Sequence, residues 1–202
     1  MVHAHVRREH SLPTLVRGFT LIELLVVTAI LVVISSLVLV NNNRFSGQIL
    51  LENLGYDIAL SIRQAQVYGI SVHSFGGTFT AGYGMHFERN SPTTYLLFAD
   101  AVSANGLYDG APELVTSTTI QGGYTIADLC STPSGSSVET CGLSSLDMLF
   151  KRPEPDAYIS ANGTSGVLNP AALYESGRII LASPQNARMS VVIEATGQIS
   201  VQ

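Results

Sequence analysis

The motifs this sequence lacks narrow the field first. It has no Walker loop, no His-Glu-x-x-His pair and no Gly-x-Ser-x-Gly elbow. Those spacings would cradle a phosphate, hold a catalytic zinc or expose a serine nucleophile. No paired-carboxylate signature replaces them, so the chain is not expected to be an enzyme. Cations are scarce. Past residue 18 they are Arg44, Arg63, Arg89, Lys151, Arg152, Arg178 and Arg188. Binding to a phosphate backbone needs a basic surface, so no general nucleic-acid binding is expected. Cysteine occurs only twice, and no internal repeat is evident.

The sharpest absence lies between Phe19 and Val40. These 22 residues contain no Lys, Arg, Pro or Gly. As a helix they span roughly 33 Å at 1.5 Å per residue, enough to cross a bilayer core. One carboxylate, Glu23, interrupts the run near its start. An ordinary secretory signal has a shorter apolar core and an Ala-x-Ala site after it. Here Asn41-Asn42-Asn43-Arg44 follows instead.

Charge gives an orientation. The formal net charge is −5, yet residues 1–18 carry Arg7, Arg8 and Arg17 against Glu9, a net +2, so the remainder carries −7. A basic segment before the span and an acidic head after it place the N-terminus inside and the head outside. His3, His5 and His10 add polarity to the leading segment.

Gly18-Phe19-Thr20-Leu21-Ile22-Glu23 resembles the prepilin cleavage and N-methylation motif of type IV pilins and type II secretion pseudopilins. The resemblance implies a cut by a prepilin peptidase after Gly18, N-methylation of Phe19, and an assembly role for Glu23. It implies partners too: the peptidase/methyltransferase, other pilin or pseudopilin subunits, an inner-membrane assembly platform, and membrane lipid before assembly. The location implied is the cytoplasmic (inner) membrane in a single pass, then a filament in the periplasm or at the cell surface. The chemistry of Glu23 stands beside this. A carboxylate inside a membrane segment is costly and is usually paired, and this segment holds no cation. Cleavage would free an amine at Phe19 that a neighbouring subunit could offer to Glu23. The alternative is a Glu that snorkels to the cytoplasmic interface.

Four segments follow: a cleaved leader at 1–18, a transmembrane or filament-core helix at 19–40, an amphipathic helix at 41–72 and a β head at 73–202. In the third, Leu51, Leu54, Ile58, Ile62 and Ala65 recur at three- and four-residue steps, the period of a helix buried on one face. Glu52, Asp57, Arg63 and Gln66 fall mostly elsewhere on the wheel, and Gly69 is the expected stop. A helix from Phe19 to Tyr68 would be about 75 Å long. A break near Asn41 to Gly47 is the alternative, since asparagine is a poor helix former. The passage Ile62-Arg63-Gln64-Ala65-Gln66-Val67-Tyr68-Gly69-Ile70-Ser71-Val72 is similar to that of H-type minor pseudopilins and related minor pilins. That resemblance implies a strand directly after the helix.

The fold class expected is α+β, a long N-terminal helix packed on an antiparallel β-sheet head. Tyr83–Glu88 and Thr93–Ala99 read as a hairpin across Arg89-Asn90-Ser91-Pro92. Leu114–Ile120 and Tyr124–Leu129 read as a second pair across Gln121-Gly122-Gly123. Leu146–Lys151, Arg178–Ala182, Ser190–Ala195 and Gln198–Val201 complete the strands. Segments 100–112, 131–142 and 160–170 read as surface loops, where specificity would lie.

Cys130 and Cys141 sit in the segment expected to be exported, where an oxidising compartment favours a disulfide. About 60 residues follow the second cysteine, so the bridged loop is internal. Val40 and this internal loop differ from a typical major pilin and favour a minor component. Asp100, Asn105 and Asp109 are weak candidates for Ca²⁺, without the alternate-residue spacing of an EF-hand; no other cofactor is expected. His86 and Glu88 alternate on one strand face and, with His73 upstream, are read as a solvated face. Asn162-Gly163-Thr164 fits a glycosylation sequon that is common by chance. The function expected is a structural subunit, a minor pilin or pseudopilin. A filament-tip binding module for DNA uptake, adhesion or secretion-substrate recognition is the alternative.

Overall fold

The structure, a computed structural model, describes residues 18–169 and 173–202. The expectations for residues 1–17, including the leader's arginines and histidines, lie outside the described residues. The chain divides into two units, residues 1–43 and 44–202.

One helical assignment, α1, covers Leu21–Ile70. In the first unit it is apolar, and none of the residues from Leu21 to Leu39 is buried. In the second unit one stripe of α1 goes inward. Leu51, Ile58, Ile62 and Ala65 are buried in the head's core, with Leu54 packed against it. That is the stripe the three- and four-residue periodicity marks.

The described residues of the head form ten strands: β1 (Gly82–Glu88), β2 (Thr94–Asp100), β3 (Leu114–Thr119), β4 (Thr125–Pro133), β5 (Thr140–Cys141), β6 (Ser145–Phe150), β7 (Ala157–Ala161), β8 (Tyr174–Ala182), β9 (Arg188–Glu194) and β10 (Ile199–Val201). They form two five-stranded sheets, not the single sheet expected. The first has the order β3-β2-β1-β6-β7 and the second β10-β9-β8-β4-β5. Every pair is antiparallel. Met85, Phe87, Met148 and Phe150 from the first sheet share one core with Leu129, Ile179, Leu181 and Ile193 from the second.

Several local readings need correction. Gln121-Gly122-Gly123 does not close a hairpin: β3 pairs with β2 and β4 with β8, so the turn carries the chain from one sheet to the other. Turn residues specify a reversal but not which sheet receives the next strand. No strand follows α1 directly; residues 71–81 intervene before β1. Strand β7 occupies residues read partly as loop, because Tyr158 and Ile159 offered too short an apolar run.

Gly69 is not the helix stop. It lies inside α1, and a Cβ there would overlap the Phe150 carbonyl. Its smallness lets the helix lie against β6. Gln66, read as part of the polar face, is buried. Its amide nitrogen donates to the carbonyls of Pro155 at 2.8 Å and Gly197 at 3.2 Å. Pro155 follows β6 and Gly197 precedes β10, so one helical side chain ties down a loop from each sheet. A buried amide is tolerated when its hydrogen bonds are made, as they are here.

Candidate assembly site

The first turn of α1 is built on Thr20. Its hydroxyl accepts the backbone N–H of Glu23 at 3.2 Å, and its carbonyl accepts the N–H of Leu24 at 3.1 Å. Thr20 is therefore the N-cap, and Thr20-x-x-Glu23 has the spacing of a capping box. The Glu23 carboxylate sits in the first turn, where the helix dipole favours negative charge. Among the described residues no side chain pairs with it. Phe19 and Glu23 are exposed, as is Gly18, beside which a Cβ would meet nothing. The segment thus presents an open peptide before a capped apolar helix with a free acid three residues past the cap.

That arrangement has a sequence counterpart. Residues 14–39 match the family model of the prokaryotic N-terminal methylation motif. Over those residues the chain is similar to that motif. No curated protein and no solved structure matches it.

The remaining candidate residues lie in the head. Cys130 on β4 and Cys141 on β5 are cross-strand partners joined by a disulfide, with Cα atoms 4.0 Å apart. Asp128 lies close to both sulfurs, but bridged sulfurs are not available as thiolate ligands. Its carboxylate accepts the N–H groups of Leu129 at 2.9 Å and Gly142 at 3.1 Å, which holds the strand after the bridge.

The calcium candidates are otherwise engaged. Asp100 is buried, and its two oxygens accept the N–H groups of Asn105 at 3.0 Å and Gly106 at 2.9 Å. The Asn105 amide donates to Asp109 at 3.1 Å, and its carbonyl accepts from Leu107 at 2.8 Å. Glu113, fully buried, accepts from Ala101, Val102 and Asp109. These acids fold the 100–113 segment by receiving its backbone donors, the role an N-cap plays for a helix. The segment is a surface loop, exposed at 101–104, 109 and 111–112, but one with a fixed fold. It lies over the outer face of the first sheet, where the Tyr108 ring sits 5.9 Å from Phe98 and 5.1 Å from His86.

His86 also departs from the solvated reading. Its Nδ1 lies 2.7 Å from an oxygen of buried Asp147, and only Glu88 on that strand face is exposed. His73 stacks on Tyr68 instead of joining them, with ring centroids 4.1 Å apart. Asn162 of the sequon is exposed, and its side-chain oxygen accepts from the Ser144 N–H at 2.7 Å. Sequence reasoning missed Glu113 and Asp147. The signal available was a lone acid within a short apolar strand (Asp147) or just before one (Glu113), which costs too much to bury without partners.

Proposed function

We propose that this chain is a structural subunit of a type IV pilus or type II secretion pseudopilus, a minor pilin or pseudopilin. Residues 1–18 are the leader, removed by a prepilin peptidase that cuts between Gly18 and Phe19. The new Phe19 amine is then methylated. Before assembly the 19–40 segment spans the cytoplasmic membrane once, with the head exported. Assembly then stacks this helix with those of other subunits on an inner-membrane platform.

The observation that carries this reading is the matched motif with Glu23 set in a wholly exposed apolar stretch. An isolated soluble domain has no use for so large an unburied apolar surface. Co-expression with a prepilin peptidase and intact-mass measurement test it. The chain should lose its first 18 residues and gain a methyl group on the new N-terminus. Gly18→Ala should block the step. A chain that keeps Met1 in the presence of active peptidase would refute the reading.

A further inference from the structure

Cys130 and Cys141 face each other across the β4–β5 pair. A disulfide is made from two thiols, so every head passes through a dithiol state before it is oxidised. Acids surround the sulfurs in that state. Asp128 stands two residues before Cys130 on β4, and side chains two apart on a strand share a face. A carboxylate oxygen of Asp128 and both sulfurs lie within 4.8 Å of one another. Glu139, just before β5, places its Oε2 3.9 Å from Cys141 Sγ.

Each carboxylate has one oxygen engaged and one spare. Asp128 receives the N–H groups of Leu129 and Gly142, with the Arg89 guanidinium at 3.9 Å, all at Oδ1. Its Oδ2 has no partner among the described residues. Glu139 receives Arg178 at Oε1, 2.8 Å away, which leaves Oε2 beside the sulfur. Cys130 is fully buried and Cys141 exposed, so one side of the cluster opens to solvent.

Donor chemistry selects the ligand. Calcium and magnesium take oxygen donors, whereas zinc accepts thiolate and carboxylate together in a tetrahedron. Ligand atoms around zinc stand roughly 3.5 Å apart, inside the 4.8 Å that encloses these three. Without the S–S bond, side-chain rotation lets the sulfurs part to that spacing. Charge agrees. Two thiolates and two carboxylates bring four negative charges, and Arg89 and Arg178 bring two positive. A divalent cation cancels the remainder.

We infer that the dithiol form of the head binds one zinc ion through Cys130, Cys141 and Asp128, with Glu139 as fourth ligand. Binding releases the two thiol protons to solvent. Zinc and disulfide exclude each other, because the same sulfurs serve both. Oxidation by a protein disulfide passes two electrons to that oxidant, which takes up two protons and becomes a dithiol. The Cys130–Cys141 bond forms and the cation leaves. Until then the ion holds β5 against β4.

The test uses the full-length chain in detergent, reduced by a phosphine in the absence of oxygen. Co²⁺ stands in for zinc because it absorbs visible light in a tetrahedral site. One molar equivalent should give a sulfur-to-cobalt charge-transfer band, and Zn²⁺ should bleach it. The disulfide form should give none. Asp128→Asn keeps both thiols and an acceptor for the Leu129 and Gly142 N–H groups. It should weaken Co²⁺ binding by about tenfold or more, the loss that even an outer-shell partner causes. Bound Zn²⁺ should slow oxidation of the thiols by diamide. Equal Co²⁺ uptake by the reduced and disulfide forms overturns the site. So does a band that persists in concentrated guanidinium chloride, which two thiols on a loose chain would give. Unchanged affinity in Asp128→Asn overturns the ligand set. Thiols oxidised equally fast with and without Zn²⁺ overturn the mutual exclusion.

Discussion

The His86 imidazole meets the Asp147 carboxylate at 2.7 Å, straight across the β1–β6 pair. The same carboxylate oxygen accepts the N–H of Tyr108 at 3.3 Å. A strand-to-strand contact is thereby joined to the segment that covers it. Asp147 is 2% exposed, and burial pushes its pKa up against the opposing pull of His86 and Tyr108. Burial raises Asp100 as well; the Gly106 and Asn105 donors oppose that, and Glu113 and Asp109 add to it.

These directions fix a pH dependence. In the folded head both acids hold their protons to higher pH than in the unfolded chain, where the ordinary value is 3.8. Proton binding therefore favours folding fully below that value, and this contribution is lost as pH rises through the raised folded values. The melting temperature of wild type, relative to Asp147→Asn, should fall as pH increases from about 4 toward neutrality. Circular-dichroism melts in detergent, taken across that range, give the difference directly. A flat difference would mean that Asp147 does not titrate with a raised pKa.

Gly69→Ala should weaken the head without touching the N-terminal site. The added methyl would run into the Phe150 carbonyl and its Cβ, and a strand backbone cannot swing aside as a flexible side chain can. Overpacking of this kind costs about 1–3 kcal/mol. Helix propensity works the other way, favouring alanine by roughly 1 kcal/mol, so the net loss should be smaller than the steric cost alone. Thermal melts should show the drop, with cleavage after residue 18 unaffected. A variant more stable than wild type would mean that α1 and β6 are not pressed together here.

The parts legible in the sequence are those governed by short-range periodicity. The inward stripe of α1 and most strands follow from apolar spacing. The Thr20 cap is not among them: the sequence reading starts the helix at Phe19, whereas α1 begins at Leu21 behind the Thr20 hydroxyl. Partition of the strands into two sheets was not legible, since antiparallel pairing between β4 and β8 joins residues some fifty positions apart. Gln66 was misread because its partners are carbonyls of Pro155 and Gly197, far along the chain. Asp100 read as a ligand for the same reason: its backbone donors become visible only when the 100–113 segment is folded. Glu23 is legible as a residue, whereas its partner would belong to another molecule.

Removing the disulfide should loosen one edge of the second sheet and leave the rest in place. Strand β5 is two residues long and pairs only with β4, so the bridge supplies much of what holds it. Closing a loop of about 12 residues contributes about 3 kcal/mol in the chain-entropy account, often less in practice. Cys130→Ala combined with Cys141→Ser should lower the melting temperature and open residues 134–142 to protease. The helical circular-dichroism signal should persist. Equal protease resistance in both forms would show that the β4–β5 hairpin stands without its bridge.

Glu23→Gln separates the two roles of the first turn. The N–H that Thr20 receives belongs to the Glu23 backbone, so the amide variant keeps the cap and removes only charge. Membrane insertion should survive, because removing an acid from the first turn of the span takes away charge that the bilayer disfavours. Cleavage after Gly18 should continue, since the substitution lies beyond the cut. Filament incorporation should fall, because the amide cannot answer the charge of a neighbour's Phe19 amine. Thr20→Val supplies the opposite case: the cap is lost at about 1 kcal/mol while the acid remains. Co-expressing each variant with tagged wild type, then measuring the share of each in sedimented filaments, distinguishes charge from cap. If Glu23→Gln enters filaments as readily as wild type while Thr20→Val does not, assembly needs the cap and not the charge of the acid.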